Sequence, residues 1–317
     1  SGFEVHLFDI VERETNAQFH LGSALECDHS SADLIINMLP GHLGNKATES
    51  LKNTGQRIVD LSFSEITPDN LQDVESSILW DVGIAPGLSN MLVSMASREY
   101  GHLDSVSIKV GGNPTQMDDG WSYMAPFSPS DVIEEYTRPA RIIENGKIRT
   151  VEALTDLHSI NVSNFGMMEA FLTDGLRSLL DSKMAENMKE YTVRWPGHIQ
   201  KWIASKDSLN DEELIESWKF DHARDEFTWM EIRISYDEYQ VIWEIVDKGL
   251  DGASSMARTT GLVTIACAMD LLESSTSEFK WFDSGVLAPE NLTIKSIDKV
   301  IKYMRSEKVT INRTITK

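Results

Sequence analysis

The chain has 317 residues, 41% hydrophobic and 25% charged, the balance of an ordinary folded protein, which excludes disordered and collagen-like chains. At roughly 150 residues per domain, this length predicts about two domains. Lys and Arg number 29 against 50 Asp and Glu, a net charge of −21 that repels nucleic-acid backbones and anionic membranes alike. No segment offers the roughly 20 apolar residues of a membrane span. The longest apolar stretch, Gly261 to Leu272, is broken by Thr264 and Asp270. No signal peptide is evident, and two distant cysteines, Cys27 and Cys267, support neither a disulfide framework nor a metal site. The expectation is a cytoplasmic protein with no nucleic-acid, membrane or metal partner.

The first 98 residues alternate between short apolar runs and polar helical stretches. The runs are Phe3 to Phe8, Asp33 to Leu39, Arg57 to Leu61 and Ile78 to Trp80, short enough for strands buried on both faces of a parallel sheet. A helix is expected over Asn45 to Asn53, with Gly55 as its stop. Leu88, Met91, Leu92 and Met95 form one apolar stripe on a helix ending near Gly101. Val106, Ile108 and Val110 then alternate with polar residues, as on a half-wet strand. Ser128-Pro129 with Asp131 reads as a helix start, and Asn145-Gly146 as a tight hairpin turn. A second hairpin turns at Asp237-Glu238. Ala253 to Leu272 reads as a buried helix, and Ile294, Ile297, Val300, Ile301 and Met304 as the stripe of a last amphipathic one. The fold class expected is α/β: a Rossmann-type parallel sheet domain, then a mixed or antiparallel α+β domain. The expected boundaries are 1–98 with 252–317 for the first and 99–251 for the second.

Ligands of open parallel sheets bind at loops after the strands. Here these are Leu39-Pro40-Gly41, Asp60 to Phe63 with Ser62, and Asp81 to Asn90 with Gly83, Pro86 and Gly87. Their Gly, Pro and hydroxyl content suits a nucleotide cofactor. Asp9 ends an early strand, where a carboxylate takes ribose hydroxyls and repels a 2′-phosphate, so NAD is expected, with NADP the alternative. The glycine fingerprint G-x-G-x-x-G is missing, and the sequence starts where the second strand of such a fold would start. Either a first strand and glycine loop precede Ser1, or a dinucleotide is not bound in the usual way.

Asp81 to Asn90, Val110 to Pro114, Ile133 to Arg141, Phe171 to Ser178, Thr192 to His198, Arg258 to Gly261 and Gly285 to Glu290 resemble, in order, the motifs of the saccharopine dehydrogenase-like oxidoreductases. Within them the set looks most like the L-lysine 6-dehydrogenase branch. The resemblance implies NAD(P)-dependent oxidation of a carbon–nitrogen bond in lysine or a lysine-derived amine, followed by imine hydrolysis. It also implies a second domain that binds substrate and forms a homodimer, and C-terminal helices that return to the first. A saccharopine-type or carboxyalkyl-polyamine-type reductase is the alternative, and a non-catalytic protein that kept the fold is another.

An amino-acid substrate brings a carboxylate that a guanidinium grips in bidentate fashion, which singles out Arg177 and Arg194. Asp174 is a candidate for the substrate ammonium or a proton, and Tyr123 and His198 for moving or orienting protons. Each has a plain structural reading beside it: an ion pair for either arginine, a helix cap for Asp174, a packing role for His198. Asp174, Arg177 and Tyr123 are the catalytic candidates, and Arg177, Arg194 and His198 the substrate-binding ones. The sheet around 105–110 and 227–246, with Trp229, Tyr239 and Trp243, is the expected dimer face.

Overall fold

The computed structural model describes residues 2–125, 129–250, 252–274 and 284–317. The chain forms two compact units, one of Ser1–Trp80 and Leu271–Leu287 and the other of Asp81–Asp270 and Ala288–Lys317.

In the first unit, β1 (His6–Asp9) and β2 (Gln18–Leu21) pair in parallel. The elements β3 (Ile35–Asn37), α1 (Gly41–Leu51), β4 (Arg57–Asp60) and β5 (Ser77–Leu79) follow. With a late strand, Gly285–Leu287 (β14 counting along the chain), they build a parallel sheet of order β14-β5-β4-β3. Ile58, Val59, Ile78 and Leu79 are fully buried, as strands covered on both faces require. Helix α1 starts at Gly41 rather than at the expected Asn45, because Pro40 ends the loop and Gly41 and Gly44 are buried. A Cβ on Gly44 would lie 2.0 Å from Ser62 Cβ, so glycine lets the helix rest on the loop after β4. Strand β2 was not expected, since Gln18 and His20 interrupt any apolar run. This unit is a Rossmann-like parallel α/β sheet.

The second unit opens with an irregular turn over Ile84–Leu88, then α2 (Ser89–Tyr100), stopped by Gly101 at φ +87. Next come β6 (Leu103–Pro114), α3 (Pro129–Thr137), β7 (Ala140–Glu144), β8 (Lys147–Val151), β9 (His158–Val162), β10 (Gly166–Leu172) and β11 (Ala185–Arg194). Helices α4 (His198–Ser205) and α5 (Asp211–Ser217) precede the hairpin of β12 (Glu226–Tyr236) and β13 (Tyr239–Asp247). Then α6 (Ser255–Ser274), α7 (Ile294–Ser306) and β15 (Thr310–Thr316) complete the chain. The sheet runs β15-β13-β12-β6-β11-β10-β9, with β7 and β8 beside β11, and it is antiparallel except where β11 meets β6.

Both hairpins form where expected. Asn145 (φ 52) and Gly146 (φ 69) supply the two left-handed residues of the first turn, and Asp237 (φ 45) lies in the second. The cap expected at Ser128 lies outside the described residues. The units divide after Trp80 rather than near residue 98. The cause is packing: α2 lies against β6 and β12, and β15 pairs along β13 and keeps α7 with this sheet. Strand β15 escapes sequence reading because its residues are mostly polar and exposed, with Ile311 buried.

Lateral register fixes which side chains share a face. Glu190 stands opposite Ile108, Ile108 opposite Ile232, and Ile232 opposite Trp243, so these four lie in one row. Thr192 and Arg194 share the face of Glu190. Trp229 points to the other face, and both tryptophans are buried within their own chain, at 3% and 5% exposure. They are therefore not the open dimer face that was expected. No helix of the described residues is long and apolar enough to cross a membrane.

Candidate active site

In the first unit the expected cofactor residues sit at strand ends. Asp9 closes β1, and its carboxylate accepts the Val11 N–H at 2.9 Å and Arg13 Nε at 3.0 Å. These bonds hold its carboxyl below the usual range, so it stays ionised. Leu39, Pro40 and Gly41 lead from β3 into α1, whose first turn contains no acidic residue and whose N–H groups suit an anion. Ser62 follows β4 and donates its Oγ–H to Asp60 at 2.6 Å. Asp60 also receives Thr48 of α1, while Asn37 at the end of β3 donates to Gly44 O at 3.0 Å. These buried ties hold the two strand ends and the helix start as one rigid edge. Gly44 is closed against Ser62, while Asp9 belongs to the separate β1-β2 pair. The other three expected cofactor residues, Gly83, Pro86 and Gly87, shape the opening turn of the second unit. Gly87 has φ +123, and a Cβ there would lie 3.0 Å from Asp81 O. Its N–H donates to Asn90 Oδ1 at 3.3 Å.

The second unit gathers the expected substrate and catalytic residues into three arginine–carboxylate pairs. Arg177 donates through Nε (2.7 Å) and Nη2 (2.9 Å) to Asp81, with both side chains only 1% exposed. Its bidentate fork is therefore closed on a protein carboxylate, not held open for a substrate. Asp174 is gripped by Arg141 through Nε and Nη2, both at 2.8 Å, and accepts the Arg141 N–H as well. Asp174 thus takes an ion pair where a helix cap was the plain reading, and Arg138 pairs with Glu134. Arg194, at the end of β11, donates Nη2 to Glu135 at 2.7 Å and Nε to Tyr136 Oη at 3.0 Å. Its guanidinium also lies 4.3 Å from the centre of the Tyr123 ring.

His198 Nδ1 meets the Trp121 carbonyl at 3.0 Å, so that nitrogen carries the proton. Its Nε2 then accepts from Tyr136 Oη at 2.9 Å. Burial, reinforced by Arg194, pushes the imidazole down to about 3, and it is neutral. Burial holds the Tyr123 phenol well above its ordinary range, and it too is neutral. Trp121, Trp202 and Trp218 enclose this corner. The Cys267 thiol is pushed up by burial and is no nucleophile. Among the described residues, no group of three or more His, Cys, Asp or Glu could hold a metal ion.

Two groups escaped the sequence reading. Ser178 donates to Glu290 at 2.9 Å, and Asn90 Nδ2 reaches both, at 3.1 and 3.2 Å, joining the start of α2 to the turn before α7. Glu190 of β11 is 3% exposed, and its Oε2 has no hydrogen-bond partner. Asn90, Ser178 and Glu290 each end a motif quoted above without being singled out there, and Glu190 lies in none of those motifs.

The family model of the saccharopine dehydrogenase C-terminal domain matches residues 83–309. Among solved structures, the chain is similar to apo saccharopine dehydrogenase (L-Glu forming) from Saccharomyces cerevisiae. That likeness has a TM-score of 0.67 and 16% identity, and covers 91% of this chain and 86% of that one. It is also similar to the homospermidine synthase of Legionella pneumophila, solved with NAD, at a TM-score of 0.65 and 10% identity over 98% and 85% of the two chains. At such identities the likeness establishes the fold, and the family follows from the match over 83–309. The chain belongs to the saccharopine dehydrogenase family of oxidoreductases.

Proposed function

We propose that this protein is an NAD-dependent oxidoreductase of a carbon–nitrogen bond in lysine or a lysine-derived amine. The observation that carries the reading is family membership across residues 83–309. The array of arginines and carboxylates supports it, because such an array suits a zwitterionic amine better than a group transferred to a nucleophile. NAD, when bound, accepts the hydride from the carbon that bears the amine. Asp9 would hold its ribose hydroxyls, and the start of α1 at Leu39-Pro40-Gly41, with Ser62, its phosphates. Arg13 beside Asp9 keeps NADP as the alternative. Gly83, Pro86 and Gly87 stay in the proposal as cofactor residues by their place in the Asp81–Asn90 motif.

Arg194 is the arginine we assign to the substrate carboxylate. Its partner Glu135, 19% exposed, is the most accessible of the three carboxylates, at 1% for Asp81 and 7% for Asp174, while the Arg194 side chain itself is 4% exposed against 38% for Arg141. Tyr123 flanks that guanidinium and keeps its proton, and His198 orients Tyr136 against it. Asp174 and Arg177 act by holding the array rather than by touching substrate. The homodimer belongs to the same proposal, supported by Ile148 and Met167, half-exposed on β8 and β10.

A polyamine reaction is the second reading. It is favoured by the likeness to homospermidine synthase and by an array in which every arginine already has its carboxylate, leaving no excess positive charge for an acid. Mixing the protein with NAD or NADP and L-lysine, saccharopine or spermidine, while following absorbance of the reduced nicotinamide, tests both. Turnover of lysine or saccharopine is expected. Turnover of spermidine alone, read by chromatography of the amines because transfer between amines leaves no net reduced nicotinamide, selects the second reading, and turnover of none overturns both.

A further inference from the structure

Three arginines of the array meet three carboxylates: Arg177 with Asp81, Arg141 with Asp174, and Arg194 with Glu135. Glu190 is the fourth carboxyl. It stands on the same face of β11 as Arg194, with its Oε2 unpartnered. The groups that act on it come from every side: Asp81 after β5, Asp174 and Arg177 after β10, and Glu135 on α3. Arg141 and Arg194 lie one bond further out, behind Asp174 and Glu135. An ideal Cβ on Gly175 would lie 1.9 Å from Glu190 Oε2, so a side chain there would collide with the carboxyl. Burial first, then the three carboxylates against Arg177, pushes the group up to about 8. An ionised Glu190 would be a buried negative charge in excess, which is costly unless a cation meets it.

We infer that Glu190 is the carboxyl that recognises the substrate's amine, protonated at rest and exchanging its proton for the ammonium group on binding. The balance is simple. Glu190–COOH and R–NH₃⁺ give the carboxylate–ammonium pair, and one proton goes to solvent. No bond to carbon changes, so the step precedes oxidation and needs no co-reactant. It makes Glu190 the specificity residue for a cationic amine, with Arg194 as the anchor for the acid end. The inference rests on the amine reading above.

The resting state is tested without ligand, by melting curves of wild type, Glu190→Gln and Glu190→Asp between pH 5 and 9. The folded pKa is raised above the ordinary 4.5, so the stabilisation from the retained proton is present below that value and is lost as pH rises through about 8. Wild type should lose melting temperature across that window. Glu190→Gln, which cannot titrate, should lose clearly less, and Glu190→Asp should restore the dependence. Equal pH dependence in wild type and Glu190→Gln overturns the assignment.

The exchange is tested by calorimetry at pH 7, with NAD present, in two buffers of different ionisation enthalpy. The ligands are L-lysine, saccharopine, spermidine, and L-norleucine, which lacks the ε-ammonium. An amine that binds should release about one proton per site in wild type and none in Glu190→Gln, with at least tenfold weaker binding there, and norleucine should release none. An amine that binds without proton release, or equally to both proteins, overturns the role of Glu190 and leaves the amine reading standing. Binding of no amine overturns the amine reading itself, and this inference with it.

Discussion

Arg177→Ala should cost the second unit its most completely buried charge pair. Both side chains are 1% exposed, and two bonds of 2.7 and 2.9 Å join them. Truncation strips Asp81 of the guanidinium in a site that water reaches poorly, and breaking a buried pair in this way costs about 3–5 kcal/mol. The backbone adds nothing to the difference, because alanine at φ 52 is as strained as arginine. For a unit of this size each kcal/mol lowers the melting temperature by about 2–4 °C, so a fall of roughly 6–20 °C is expected. Thermal melting followed by circular dichroism measures it. Asp81→Leu with Arg177→Met should recover at least half of the loss, because a well-packed apolar pair tolerates burial where a single charge does not. A single mutant within about 1 kcal/mol of wild type would refute the reasoning, since that is the range of a solvated pair.

Other consequences are as direct. Gly44→Ala should destabilise the first unit by about 1–3 kcal/mol, because its Cβ would collide with Ser62, and should weaken NAD binding in the same titration. Asp9→Ser should weaken NAD about tenfold or more while NADP affinity holds or rises, which competitive cofactor titration reads. Arg194→Lys should lower kcat/KM for an amino-acid substrate by about 30-fold or more, since an ammonium keeps the charge but not the fork. An unchanged value would remove Arg194 from the carboxylate. Light scattering at micromolar concentration should give twice the chain mass, and a clean monomer would sink the dimer.

The parallel sheet was legible because strands buried on both faces must be apolar throughout, and Ile58, Val59, Ile78 and Leu79 are. Both hairpins were legible because the turns use residues that tolerate left-handed backbone. Strands β2 and β15 were not, since neither has an apolar run. The candidate site was half legible: Arg177, Arg194, Asp174 and His198 fall in recognisable motifs of the second unit, whereas Tyr123 lies between two of them. What sequence could not supply was partnership. Asp81 and Arg177 are separated by a long stretch of chain, and only the folded register shows that the fork is already filled. Glu190 carries no mark in the sequence, since the alternation around Lys189-Glu190-Tyr191 does not say which face will be closed.

The bonds that run from Arg194 through Tyr136 and His198 to the Trp121 carbonyl have a direction. Arg194 can only donate, and the carbonyl can only accept, so every hydrogen between them is fixed in one sense. Tyr136 must give its hydrogen to His198 Nε2, which therefore cannot take a second proton without breaking the string. The string is a ratchet for polarity. Acid arriving at this corner finds no vacancy, and the corner keeps one arrangement of hydrogens across the physiological pH range. An activity profile that bends between pH 5 and 8 therefore belongs to a group outside this string, and Glu135, 19% exposed, is the partner through which the medium reaches the Arg194 guanidinium.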